Sequence, residues 1–127
     1  MNAKNLLASW IRERIPGTVN PVHRDLSYAN LTVLDLSGSD LSGDDLSSAN
    51  LSGSNLQGAN LSNADLRNAY LYGTNLSGSN LQGADLRNAN LVNSNLNLAN
   101  LDNANLRNAN LIGATVNNAS FFGALFS

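Results

Sequence analysis

The sequence predicts an all-β solenoid with four sides to each coil, and three observations predict it. A hydrophobic residue recurs every five positions, a near-identical hexapeptide every twenty, and with few exceptions a small residue stands two places before the hydrophobic one. Leu recurs without a miss from Leu26 to Leu111, 18 times in succession, and Val116, Phe121 and Phe126 continue the phase. A period of five fits neither the 3.6 of a helix nor the 2 of a strand, so it belongs to a repeat architecture. The longer period is carried by ADLRNA at 64–69, which returns at 84–89 and, as ANLRNA, at 104–109. Residues twenty apart are then neighbours in space, and one coil holds four pentapeptides, one per side.

The unit reads A-(N/D)-L-X-X. The Leu points inward and stacks on the Leu of the next coil, in the columns that begin at Leu26, Leu31, Leu36 and Leu41. The residue two before it is small because a backbone corner leaves it little room, which accounts for Ala49, Ser54, Ala59, Ala64 and their successors. The remaining three positions face outward, where Asn, Ser, Gln and Arg are solvated. Gly or Asn in the last of them (Gly53, Gly58, Asn63, Asn68) suits a turn with unusual φ. At a strand spacing of about 4.8 Å, the units from Arg24 to Ser127 stack into about five coils and a rod on the order of 25 Å long.

Residues 1–23 stand apart from this pattern and are expected to form a helical cap and linker before the β-helix of 24–127. Leu6, Leu7, Trp10, Ile11 and Ile15 fall at helical spacing, and Pro16-Gly17 then stops the helix. A cap is needed because the first coil otherwise exposes its Leu layer and its unpaired backbone edge. The apolar run is too short and too charged for a membrane span or a secretory segment, so a cytoplasmic protein with no membrane partner is expected.

Composition excludes several classes of chemistry. A formal net charge of −2 supplies no basic field for nucleic acid or anionic lipid, so direct nucleic-acid binding is not expected. The chain has no Cys and a single His, His23, with no nucleophile or second ligand at a useful interval, so no catalytic residue, metal or cofactor is expected. The acids are better explained as charge balance. Asp65 and Asp85 share one outward column with Arg67 and Arg87 beside them, an alternation that relieves the repulsion of stacked like charges.

These tandem A-(N/D)-L-X-X units, unbroken over about four-fifths of the chain, resemble the pentapeptide-repeat family. The resemblance implies a right-handed quadrilateral parallel β-helix in a family well represented in cyanobacteria. It also implies a protein that is not an enzyme but a structural or protein–protein interaction module with an unidentified protein partner. Some members of the family mimic DNA and bind type II topoisomerases, which gives the alternative of a gyrase binder of the quinolone-protection type. Acids gathered at Asp25, Asp35, Asp40, Asp44 and Asp45 favour that alternative, while eight Asp against four Arg from Arg24 onward fall far short of duplex charge density.

Three surfaces and one ion pair are candidates for further roles. Tyr70, Tyr72, Val92 and Ile112 lie outward on one side, where the other sides carry Asn, Ser and Gln, and form a candidate lateral contact. Phe121, Phe122, Leu125 and Phe126 gather in the last units, either plugging the final coil or, as in family members that dimerise through C-terminal coils, forming a homodimer contact. Leu6, Leu7, Trp10 and Ile11 are the expected docking residues of the cap. Arg24 and Asp44 stand twenty apart where small inward residues belong, and are expected to stack as an ion pair that fixes the start of the first coil.

Overall fold

Every pentapeptide has five backbone N–H groups to satisfy, and the way each is satisfied defines the architecture. The computed structural model of the chain describes residues 3–13 and 23–127. Taking Asp45-Leu46-Ser47-Ser48-Ala49 as an example, the N–H of Leu46 donates to Asp65 O (2.7 Å) and that of Ser48 to Arg67 O (2.9 Å), both in the following coil. The Asp45 N–H donates back to Arg24 O (3.0 Å), and the Ala49 N–H closes the turn on Leu46 O (3.0 Å). The fifth N–H, that of Ser47, has no backbone acceptor and is taken by the Asp45 carboxylate at 2.9 Å. This last bond corrects the expectation that the residue before Leu is merely solvated. Asn or Asp is required there because its side-chain oxygen completes the turn.

The resulting register is a parallel ladder that pairs each such residue with the one twenty ahead, from Asp25–Asp45 to Asn105–Leu125. Coils are therefore numbered from 24–43 (coil 1) to 104–123 (coil 5), with 124–127 starting one side more, and sides 1 to 4 carry Leu26, Leu31, Leu36 and Leu41 and their successors. Between the sides the chain turns with positive φ, from 55° at Val33 to 73° at Gly113 and Gly123. Gly and Asn fill sixteen of these twenty corners, the exceptions being Tyr28, Val33, Ser48 and Leu98. Side chains other than Gly and Asn carry a steric cost in this left-handed conformation.

Inside, the central leucines from Leu31 to Leu101 are fully buried, and the Ala column lies between them. Where Ser or Thr replaces Ala, the hydroxyl needs an acceptor: Thr74 Oγ1 donates to Leu51 O (3.0 Å) and Ser79 Oγ to Leu76 O (2.7 Å). The hydroxyls of Ser39 and Ser94 are buried without such a partner among the described residues. Leu34 is a third departure from the small-residue rule that the sequence reading passed over. It is buried in coil 1, where Ala8 and Arg12 flank it instead of a preceding coil.

The cap is α1, Ala3–Arg12, and Ile15 with Pro16-Gly17 falls outside the described residues. It buries Ala8 and Ile11 completely and Leu7 in part, whereas Leu6 and Trp10 are 57% and 55% exposed. All four were expected to dock, but Leu6 stays out of the contact and Trp10 meets the rod at the Arg24 guanidinium while remaining half-exposed: a single helix lying across the end of a narrow rod presents only one stripe to it. Polar contacts hold the rim. Lys4 Nζ donates to Thr32 O (3.0 Å), Arg12 to Asp35 O, and Arg24 to Asp40 O (2.7 Å). The equivalent carbonyls of coil 2, those of Ser52, Asn55 and Asn60, accept N–H groups of coil 1. Three cations thus take the place of an absent preceding coil.

Arg24 and Asp44 meet in the slots where Ala belongs. The guanidinium contacts the Asp44 carboxylate at 2.7 and 3.0 Å, the Arg24 N–H donates to it at 3.0 Å, and a further guanidinium N–H reaches Ile11 O at the end of α1 (3.0 Å). Trp10 lies over the same guanidinium, 5.5 Å from ring centroid to Cζ. The Asp44 side chain is fully buried and that of Arg24 is 15% exposed, so the pair joins coil 1, coil 2 and the cap. His23 leans on Gly43, where a β-carbon would collide with the imidazole.

Two predictions follow from this packing. Arg24→Ala leaves a buried carboxylate unpaired and is expected to lower stability by about 3–5 kcal/mol, whereas Asp44→Ala restores the small residue and leaves Arg24 its bonds to Ile11 and Asp40, at a smaller cost. Thermal melts of both variants test this ordering, and equal losses would contradict it. Leu98 is 66% exposed at φ 63°, so Leu98→Asn removes backbone strain while giving up little burial. It is expected to raise stability by about 0.5–1 kcal/mol in urea unfolding.

Candidate functional site

Side 2 departs from the polar pattern over coils 3 to 5. Tyr72, Val92 and Ile112 occupy one corner column at strand spacing, and Tyr70 stands beside them in the centre of the side, paired between Asn50 and Asn90. Tyr70, Tyr72 and Ile112 are 53%, 51% and 73% exposed, and Val92 is half-buried. The Tyr72 hydroxyl is in reach of Asn93 Nδ2 at 3.4 Å. The structure thus brings together all four residues of the expected lateral face.

Tyr70 carries a structural cost that the sequence reading did not register. In coils 2 to 4 every other residue before a central Leu is Asn or Asp and accepts the N–H two residues on, as Asp65 does for Arg67 (3.1 Å) and Asn90 for Val92 (3.1 Å). Tyr70 has no such oxygen, and among the described residues the Tyr72 N–H has no protein acceptor. Coil 5 also departs from Asn at Thr115 and Ser120, but there Asn97 and Asp102 of the coil before supply the oxygen, at 2.9 Å each. The signal was present in the sequence as a lone aromatic in the Asn/Asp column.

The opposite corner of side 2 bears the Arg67, Arg87, Arg107 column, next to the acids of side 1. Arg67 binds Asp65 at 2.7 Å and lies 4.0 Å from Asp85, while Arg87 binds Asp85 at 2.6 Å. Arg107 has Asn105 in place of the acid and contacts Ser127 O at 3.4 Å. The Arg67 hydrogen bond holds the Asp65 carboxyl below the usual carboxylate range, and the Arg87 hydrogen bond does the same for Asp85; partial burial opposes both effects. At Asp25 and Asp35 the lowering comes from the hydroxyls and N–H groups of Ser27 and Ser37. Among the described residues no group of three or more His, Asp or Glu is placed to hold a metal ion.

The C-terminal aromatic group divides. Phe121 and Phe126 turn inward as central residues, their ring centroids 5.6 Å apart, and close the last layer only in part, since Phe126 remains 51% exposed. Phe122 points away at a corner and is 81% exposed, and Leu125 lies outward on side 1. The four residues are therefore not one cluster, because consecutive positions in this repeat point to different directions. Tyr28, Val33 and Leu98, exposed at positive-φ corners, were missed by the sequence reading, although each breaks the Gly/Asn rule of its position.

The Asp–Arg ladder gives a pH prediction. A carboxyl whose folded pKa is depressed contributes stability that is fully present above its unfolded value of about 3.9 and is lost as pH falls through the lower folded value. Asp65→Asn with Asp85→Asn keeps the turn oxygen but removes both ion pairs. The double variant is expected to lose less stability than the parent between about pH 5 and pH 2. Melting temperatures across that range check the slope, and parallel curves would contradict the assignment.

Comparison with known proteins is consistent with this geometry. The family model described as pentapeptide repeats matches residues 45–83, 79–118 and 89–127. A pentapeptide repeat protein from the Arabidopsis thaliana thylakoid lumen is 41% identical over 71% of this chain and 59% of its own, with a TM-score of 0.57. HetL, a pentapeptide repeat protein involved in heterocyst differentiation regulation in the cyanobacterium Nostoc sp. strain PCC 7120, is 38% identical over 90% of this chain and 48% of its own, with a TM-score of 0.51. The chain thus spans about half to three-fifths of the length of these two structures. A comparison with curated protein sequences finds no match. With its repeats matched over residues 45–127 and its coils in twenty-residue register, the chain belongs to the pentapeptide-repeat family, whose members form right-handed quadrilateral β-helices.

Proposed function

We propose that the protein is a non-catalytic interaction module that binds a protein partner through side 2 of coils 3 to 5. The observation that carries this reading is Tyr70. At that position the repeat gives up a turn hydrogen bond worth about 0.5–1.5 kcal/mol. What replaces it is an exposed aromatic beside Tyr72, Val92 and Ile112. Tyr is enriched in protein contacts because it adds large area at low entropic cost and keeps a polar tip, and an Arg column along the opposite corner has the composition of an interface rim. The carboxylates of side 1 are engaged with Ser27, Ser47, Arg67 and Arg87, which leaves none in a cleft with a nucleophile.

A DNA-mimicking, gyrase-binding role is the second reading, and it has weaker support. The acid column on side 1 is half neutralised by Arg67 and Arg87, and it ends in Asn105 and Leu125. A supercoiling assay separates the two, since only the mimic is expected to inhibit gyrase.

Tyr70→Asn distinguishes function from folding. The substitution restores the missing turn bond and is expected to raise stability by about 0.5–1.5 kcal/mol while weakening partner capture. The measurement is retention of proteins from a native-host extract on immobilised wild type, on Tyr70→Asn with Ile112→Ser, and on a control altered on sides 3 and 4, Gln57→Ser with Gln82→Ser. Bands lost on the side-2 variant and kept on the control support the reading. Bands kept on both, with the expected rise in stability, would sink it.

A further inference from the structure

Side 2 of coils 3 to 5 is rich in hydrogen-bond donors and carries no acid of its own. Tyr72, Val92 and Ile112 line one edge, Arg67, Arg87 and Arg107 the other, and Tyr70 stands between them with two Asn. The carboxylates that balance the Arg column lie around the corner on side 1, and they take only one edge of each guanidinium. Arg67 bonds to Asp65 through Nε (2.9 Å) and Nη2 (2.7 Å), and Arg87 to Asp85 through the same two atoms at 2.9 and 2.6 Å. Neither Nη1 has a bond among the described residues, and Arg107 has Asn105 where the other two have Asp. The Tyr72 N–H adds a main-chain donor to the same face. Of the N–H groups two places past the Asn/Asp column in coils 2 to 4, it alone has no side-chain acceptor among the described residues.

The geometry points to an acidic amphipathic helix of a partner protein as the occupant of this face, lying along the rod with its apolar stripe on Tyr72, Val92 and Ile112 and its carboxylates toward the Arg column; the inference rests on the reading of side 2 as the partner contact. Charge complementarity selects the acids, because a guanidinium fork accepts a second carboxylate on its open edge and the face offers no anion to repel it. The apolar edge beside the cations selects a protein over a phosphate backbone, as does the net charge of −2. Spacing selects the helix. Both columns advance by about 4.8 Å per coil, or about 9.6 Å over two. Residues i, i+3 and i+7 of a helix advance by about 4.5 and about 10.5 Å, so one stripe stays in step with three coils. Same-face residues of an extended segment advance by about 6.7 and about 13.4 Å, and are out of step by the third coil. The side itself is roughly 10 Å wide, three extended residue steps, which is the width of one helix with its side chains.

Selection of 16-residue peptides of unrestricted sequence, displayed on phage and panned on the immobilised full chain, tests this without knowledge of the partner. The enriched peptides are expected to be acidic and to carry apolar residues at i, i+3 or i+4, and i+7. Synthetic copies are expected to lose about tenfold or more in affinity when their Asp and Glu are changed to Asn and Gln, a measurement that leaves the protein unaltered. A similar loss is expected on Arg87→Gln with Arg107→Gln, and on Val92→Ser with Ile112→Ser. Neutral or basic peptides, or peptides with alternating apolar residues, that bind the wild type and not Tyr70→Asn with Ile112→Ser would overturn the acidic helix and leave side 2 as the contact. Acidic peptides that bind every side 2 variant equally would overturn both readings. No enrichment on the wild type over Tyr70→Asn with Ile112→Ser would overturn the proposal as well.

Discussion

The structure depends on a backbone hydrogen-bond rule that repeats every five residues and closes every twenty. In every unit of coils 2 to 4 four of the five N–H groups are satisfied by the main chain, and in all but the Tyr70 unit the fifth is satisfied by an Asn or Asp side chain. An unpaired buried amide costs more than a typical hydrogen bond gains, so each unit is constrained at every position. The inward Leu is one consequence, the small residue at the bend another, and Gly or Asn at the positive-φ corner a third.

A rule that holds along the rod must fail at its ends, and the two ends fail differently. Coil 1 receives side-chain cations in place of main-chain donors, and the Arg24–Asp44 pair ties those cations to the core. The pair stands in two slots where the repeat elsewhere has small residues, and it joins coil 1, coil 2 and α1. Coil 5 has Phe121 and Phe126 over its last layer.

Along its sides the rod resolves a different conflict, between stacking and charge. A twenty-residue repeat places like residues one above another at strand spacing, so a column of Asp alone would repel itself. On side 1 the Arg column at the neighbouring corner offsets this, and the lowered Asp65 and Asp85 carboxyls are its electrostatic trace. Asn columns avoid the problem by being neutral. Against such regularity an exposed Tyr that forgoes its turn bond stands out, and it lies on the side proposed above for partner contact.

The sequence by itself determined the four-sided solenoid, its register and its inward columns, because a strict period can be met by only one stacking. It also placed Tyr70, Tyr72, Val92 and Ile112 on one side and set Arg24 opposite Asp44, since residues twenty apart must be neighbours. Tertiary structure alone decided what the periodicity does not encode. The side-chain oxygen of the Asn/Asp column closes a turn, which follows from dihedral angles and not from hydropathy. Leu6 stays in solvent and Trp10 only half leaves it because helical spacing says which residues share a face but not how wide a surface that face meets. Phe122 parts from Phe121 because adjacent residues in this repeat point in different directions. The three rim cations reach carbonyls of coil 1 because a chain edge has unsatisfied acceptors wherever the ladder stops, and only the docked position of α1 shows which side chains answer them.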